Sequence, residues 1–179
     1  MTLAWHVNIA TRWLDPQEHD GTATTDNFMT AIHDALIKNQ GTVLYDHPAL
    51  AERFEFAQDA TSATFWLRKG VQFHNGFGEF TANDVVHSHS FMLRQDATSG
   101  TAPLWRMAEE VKVVDDYQIV FRMKNPSSTL PYAVSRSGDL RMVSKAQWDK
   151  EGLEGFEKRP AGTGSYRYAG RQPGLSVSF

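Results

Sequence analysis

Residues 64–86 read TFWLRKGVQFHNGFGEFTANDVV, and three local devices follow one another within them. Residues 64–67 are a β-branched and aromatic run, which predicts a strand. Asn75-Gly76 is a turn signal, because both residues tolerate positive φ. Thr81 is placed to start a helix, with its hydroxyl on the free N–H groups of the first turn. Asp84, three residues on, falls in the positive end of that helix. Strand, polar loop and capped helix form a structural cassette without a catalytic group.

Working outward, residues 53–56 and 63–68 predict two strands joined by the polar turn QDATS. In the second, Phe65 and Leu67 share one face and Trp66 takes the other, where packing on a second apolar layer is expected and a pocket wall is the alternative. Along the helix after Thr81, at about 100° per residue, Val85, Val86, Met92 and Leu93 fall on one face together with His89. His87 falls opposite, so His87 and His89 point apart and make no metal pair. Residues 111–114 and 118–123 predict strands about an Asp115-Asp116 turn, with Ile119, Phe121 and Met123 alternating inward. A short helix is expected over 127–133, a strand over 140–143, and a helix over 145–151 capped by Ser144. Strands over 166–169 and 175–179 flank the Pro173-Gly174 turn. Towards the N-terminus, residues 3–9 predict a strand. Phe28, Met29, Ile32, Ala35 and Leu36 recur at helical spacing, which predicts a helix over 26–37 begun by Thr25 or Asp26. His33 neighbours Asp34 on its polar margin and is expected at the surface or half-buried.

LRKGVQFHNG followed by FTANDVV resembles the signature of family 5 extracellular solute-binding proteins, the dipeptide, oligopeptide and nickel receptors of bacterial ABC importers. LDP at 14–16, PALAERFEF at 48–56 and GTGSY at 162–166 stand in the family's order. Two places depart from its pattern. Gly78-Glu79 stands for the usual Thr-Pro before Phe80, with one extra loop residue, and Ser165 stands where Pro is common. The resemblance implies an α/β fold, the N-terminal lobe of a type II periplasmic-binding-protein-like receptor. That lobe would be partial over residues 1–179, with a strand-rich subdomain over 42–143. It further implies a periplasmic or extracellular protein that captures a peptide or similar small solute by closure of two lobes. The solute then passes to an ABC permease without covalent chemistry, cofactor or metal. By the same resemblance the loop after LDP faces the cleft, which makes Asp20 and Gly21 candidate ligand contacts. Trp105 and Tyr132 are further candidates by rough alignment, with core packing as their alternative role. Family receptors have two lobes and several hundred residues, so the expectation is a fragment without the second lobe and without a signal peptide. The rival expectation is a stand-alone lobe that self-associates, for instance as a homodimer, and transports nothing.

Composition narrows the classes. A chain of 179 residues with 41% apolar and 22% charged residues is an ordinary globular composition. A net charge of −3 gives no electrostatic case for nucleic acid or an anionic membrane. No run approaches the roughly 20 apolar residues of a membrane span. Zero Cys excludes disulfides, thiol catalysis and Cys metal sites. No G-x-S-x-G elbow, H-E-x-x-H helix or Walker loop occurs. Gly162-Thr163-Gly164 lacks the following Lys and the helix start of a phosphate loop, and Ser137 and Ser165 have no adjacent His. The sequence therefore points to a binding protein and not to an enzyme.

Overall fold

The computed structural model describes residues 23–39, 47–95, 97, 99–135, 140–172 and 175–179, with only the backbone at 23–26. In chain order its elements are α1 (Ala23–Ile32), β1 (Ile37–Lys38), β2 (His47–Pro48), β3 (Ala51–Phe56) and β4 (Ser62–Leu67). A 3-10 turn (His74–Gly76) leads to α2 (Ala82–Met92), α3 (Ala102–Trp105), β5 (Ala108–Asp115), β6 (Gln118–Met123) and α4 (Leu130–Ala133). The chain ends with α5 (Lys145–Lys158), β7 (Gly170–Gln172) and β8 (Ser176–Ser178). The strand expected over 3–9 and the turn at Pro173-Gly174 lie outside the described residues.

A four-stranded antiparallel sheet in the order β3-β4-β6-β5 organises the middle of the chain. Alternation produces it: Ala63, Phe65 and Leu67 of β4 and Ile119, Phe121 and Met123 of β6 are all buried. Phe65 pairs with Ile119 and Ala63 with Phe121, so the two apolar rows meet on one face. Trp66 takes the outer face, as expected, where the Arg53 guanidinium lies 3.4 Å from its ring centroid.

The cassette at 64–86 forms as its residues dictate. Asn75 and Gly76 adopt φ of 61° and 76°. The Thr81 side chain and Asp84 complete a capping box, with Thr81 N–H donating to Asp84 Oδ2 at 2.9 Å. The helix that follows is buried on two sides. Val85, His89 and Met92 join the sheet core, whereas Phe91 packs with Val143, Trp148 and Phe156 against α5. His87 and His89 do point apart. His87 meets Phe91 and Trp148, and His89 meets Trp105 and Phe121.

Four elements differ from the sequence expectation. The helix expected over 26–37 is α1, which stops at Ile32. Its terminal carbonyls are taken by a distant loop: Gly164 N–H donates to Ile32 O at 2.7 Å and Tyr166 N–H to Ala31 O at 3.0 Å. Residues 140–143 join no sheet. Met142 N–H donates to Asp34 O and Val143 N–H to Ser88 Oγ, so single bonds replace a ladder. The helix expected over 145–151 runs on to Lys158 through Gly152, which breaks the helical dihedrals at φ 63°. The Ser144 cap holds, its hydroxyl accepting from Gln147 N–H. The strand expected over 166–169 lies later, as β7 paired with β8.

Candidate functional site

Of the four candidate contacts, Asp20 and Gly21 lie outside the described residues. Trp105 and Tyr132 sit on α3 and α4, two single-turn helices that pack against each other. Proline near the N-terminus of each favours such a turn. Trp105 is 1% exposed, inside the sheet core with Leu130 and Ala133 of α4. Its carbonyl accepts from His89 Nε2 at 3.2 Å, and the His89 ring meets the indole edge-on at 6.1 Å. The indole N–H is buried and lacks a hydrogen-bond acceptor. Tyr132 is half-buried, and its carbonyl accepts from Ser135 Oγ at 2.6 Å. Ser135 in turn forms a parallel bridge with Ile37, which ties α4 to β1. The structure thus brings Trp105 and Tyr132 to one region, with Trp105 beneath.

An open cleft of about 410 Å³ lies elsewhere, lined by Glu52, Trp66, Lys69, Asp115, Asp116 and Tyr117 among others. Neither Trp105 nor Tyr132 lines it. The chain's own cations lie on its two rings, Arg53 on Trp66 and Lys69 on Tyr117 at 5.0 Å. Beside it, Glu79 Oε1 accepts from Gly70 N–H at 2.6 Å and from Tyr117 O–H at 2.9 Å. Those bonds, the Gly70 one first, hold the Glu79 carboxyl below its ordinary range. The departure at Gly78-Glu79 is therefore a fastening between two loops.

Sequence reasoning missed a buried polar junction. His33, expected at the surface or half-buried, is fully buried, and burial pushes its imidazole down to about 3. Arg141 is buried beside it, and His74 reaches the same place from the 3-10 turn. Gln147 is also fully buried: its side-chain amide donates to Arg159 O and accepts from Ala161 N–H at 2.8 Å. Only the two glycines of GTGSY hinted at this crossing. Among the described residues, no group of three or more His, Asp or Glu side chains is placed to hold a metal ion.

Residues 47–179 match the family described as bacterial extracellular solute-binding proteins, family 5 Middle. The chain belongs to this family. Among curated family 5 relatives, the heme-binding protein A of Haemophilus influenzae is 28% identical over 153 residues, covering 74% of this chain and 28% of that protein. The dipeptide-binding protein of Escherichia coli is 28% identical over 176 residues, covering 86% of this chain and 32% of that one. Among solved structures, the binding protein MoaA of A. tumefaciens, in complex with mannopinic acid, superposes with a TM-score of 0.80 at 27% identity. That match covers 92% of this chain and 33% of MoaA. The chain has the type II periplasmic-binding-protein fold of a partial lobe, and it spans about a third of the length of the relatives it matches.

Proposed function

We propose that this family 5 chain is the first-lobe portion of the substrate-binding component of an ABC importer. It captures a peptide or a similar small solute outside the cytoplasmic membrane. The observation that carries this reading is the family match over residues 47–179. Relatives named for dipeptides, oligopeptides and glutathione favour a peptide or peptide-like solute over other ligands. Capture works by hinge closure of two lobes, with backbone hydrogen bonds to an extended ligand and a few placed side chains. Asp20 and Gly21, just before α1, supply the first-lobe contact. Tyr132 adds an aromatic wall, and Trp105, buried under α4, fixes the position of that wall.

The test is the melting temperature and solution mass of the 179-residue chain with and without a mixed di- and tripeptide pool. A monomer whose melting temperature rises with peptides, and no longer does so after Asp20→Ala, supports capture by this lobe. A chain that associates with itself and ignores peptides supports the second reading, a self-associating lobe without transport. One observation favours that second reading: Leu175, Tyr166 and Phe179 are 79%, 54% and 40% exposed at one end of the chain.

A further inference from the structure

We propose that His33 and His74 form a latch where α1, residues 140–143 and the Gly162–Gly164 loop meet, with His33 as its acid-sensitive member. The geometry is repeated twice. His33 Nδ1 lies 3.0 Å from Met142 O. A carbonyl only accepts, so Nδ1 carries the ring's proton and Nε2 keeps a lone pair. That Nε2 is buried and has no hydrogen-bond partner. His74 does the same from the other side: Nε2 lies 2.9 Å from Gly164 O, and Nδ1 is buried and unpartnered. His74 N–H adds a bond to Gly162 O at 2.9 Å. Each ring thus spends its single proton on one carbonyl. On fully buried His33 a second proton would create an N–H with no acceptor and a buried charge.

The surroundings oppose that second proton. Arg141, from the buried segment 140–143, and His74, from the 3-10 turn, are the charged and titratable groups that bear on His33, and both disfavour its cation. From α5 the Phe156 ring lies 5.9 Å from the His33 ring. The glycine loop cannot adjust either. A Cβ on Gly162 would lie 2.0 Å from Ile32 O, and one on Gly164 would lie 2.6 Å from Ala31 O. The loop is wedged against the helix backbone, with the His33 ring beside Gly162 and the His74 ring bonded to Gly164 O.

Opening the junction releases the His33 ring to water, where a histidine accepts a proton near pH 6.5. Closed His33 resists protonation down to about 3. The latch is therefore strongest above pH 6.5 and weakens as pH falls from there. For His33 alone, the opening equilibrium rises about 20-fold between pH 7 and pH 5.

Native-state amide exchange on the 179-residue chain, corrected for intrinsic rates, reads this out. Amides of His74, Gly164 and Tyr166 report the junction, and those of Phe65 and Phe121 report the sheet. The junction amides are expected to open locally, about 20-fold more at pH 5 than at pH 7. His33→Asn with His74→Gln keeps a side-chain N–H near each bonded ring nitrogen and cannot gain a proton, so it abolishes that rise. The proposal is overturned if the double variant keeps the rise, or if junction and sheet amides open only together. Should the double variant fail to fold, the His33 ring signal of the parent chain decides. It stays that of a neutral ring at pH 5 if the latch is real, and titrates near pH 6.5 if it is not.

Discussion

Asp84 shows how much one residue can join. Its Oδ2 accepts from Thr81 N–H, and its Oδ1 accepts from Lys145 N–H at 3.0 Å, so one carboxylate caps α2 and anchors the start of α5. Burial raises its carboxyl pKa, and the Thr81 and Lys145 bonds oppose that rise without cancelling it. Asn offers only one accepting atom, so Asp84→Asn strands one backbone donor. The expected loss is about 1–3 kcal/mol in urea-induced unfolding, and Asp84→Ala should lose more. His89 poses the opposite titration. Burial depresses its pKa against the bond to Trp105 O, so the folded chain holds the ring neutral. That contribution is complete above the unfolded value of 6.5 and declines as pH falls below it. Gln retains a donor near Nε2. The urea midpoint of His89→Gln should therefore fall less between pH 7 and pH 5 than that of the parent chain.

Elements depend on such residues to different degrees, and this decides what the sequence could reveal. The strand, turn and helix of residues 64–86 are specified locally, by β-branching, by Asn75-Gly76 and by the Thr81–Asp84 box, and all three were legible. The end of α1 was not, because the Gly162–Gly164 loop sets it from about 130 residues away. Residues 140–143 carry a strand's composition, yet their backbone partners are Asp34, just past α1, and a serine of α2. No local pattern encodes that arrangement. The candidate contacts were legible only through the family resemblance. Composition gave no means to tell a buried Trp105 from a cleft wall, since an indole suits either place. The wedge at α1 carries its own prediction. Gly162→Ala sets a methyl against the Ile32 carbonyl and should cost on the order of 3 kcal/mol, with junction amides losing protection before sheet amides. Gly152→Ala, in open space but at φ 63°, should cost only about 1–2 kcal/mol by thermal unfolding.

At the scale of the whole molecule, large apolar side chains among the described residues are exposed on β5 and near the C-terminal hairpin, and only the second place invites association. β5 is an edge strand with Val113 and Val114 36% and 51% exposed. It also carries Glu109, Glu110 and Lys112, and its register shifts twice, between Ala108 and Glu110 and between Val113 and Asp115. Charge and irregularity of this kind blunt an edge against pairing with a second chain. Near Tyr166, Leu175 and Phe179 the β7–β8 hairpin carries the single charge of Arg171, runs without a register shift and is only two strands wide. In relatives about three times as long, further chain is available to cover the corresponding surface. The 179-residue chain should therefore gain apparent mass with concentration in light scattering. Leu175→Lys should lower that mass towards the monomer, while Val114→Lys should leave it unchanged. Both positions are exposed, so neither substitution should alter unfolding by more than about 0.5 kcal/mol. A mass that follows Val114 and not Leu175 would place the sticky surface on the sheet edge, and the proposed role of the hairpin end would be wrong.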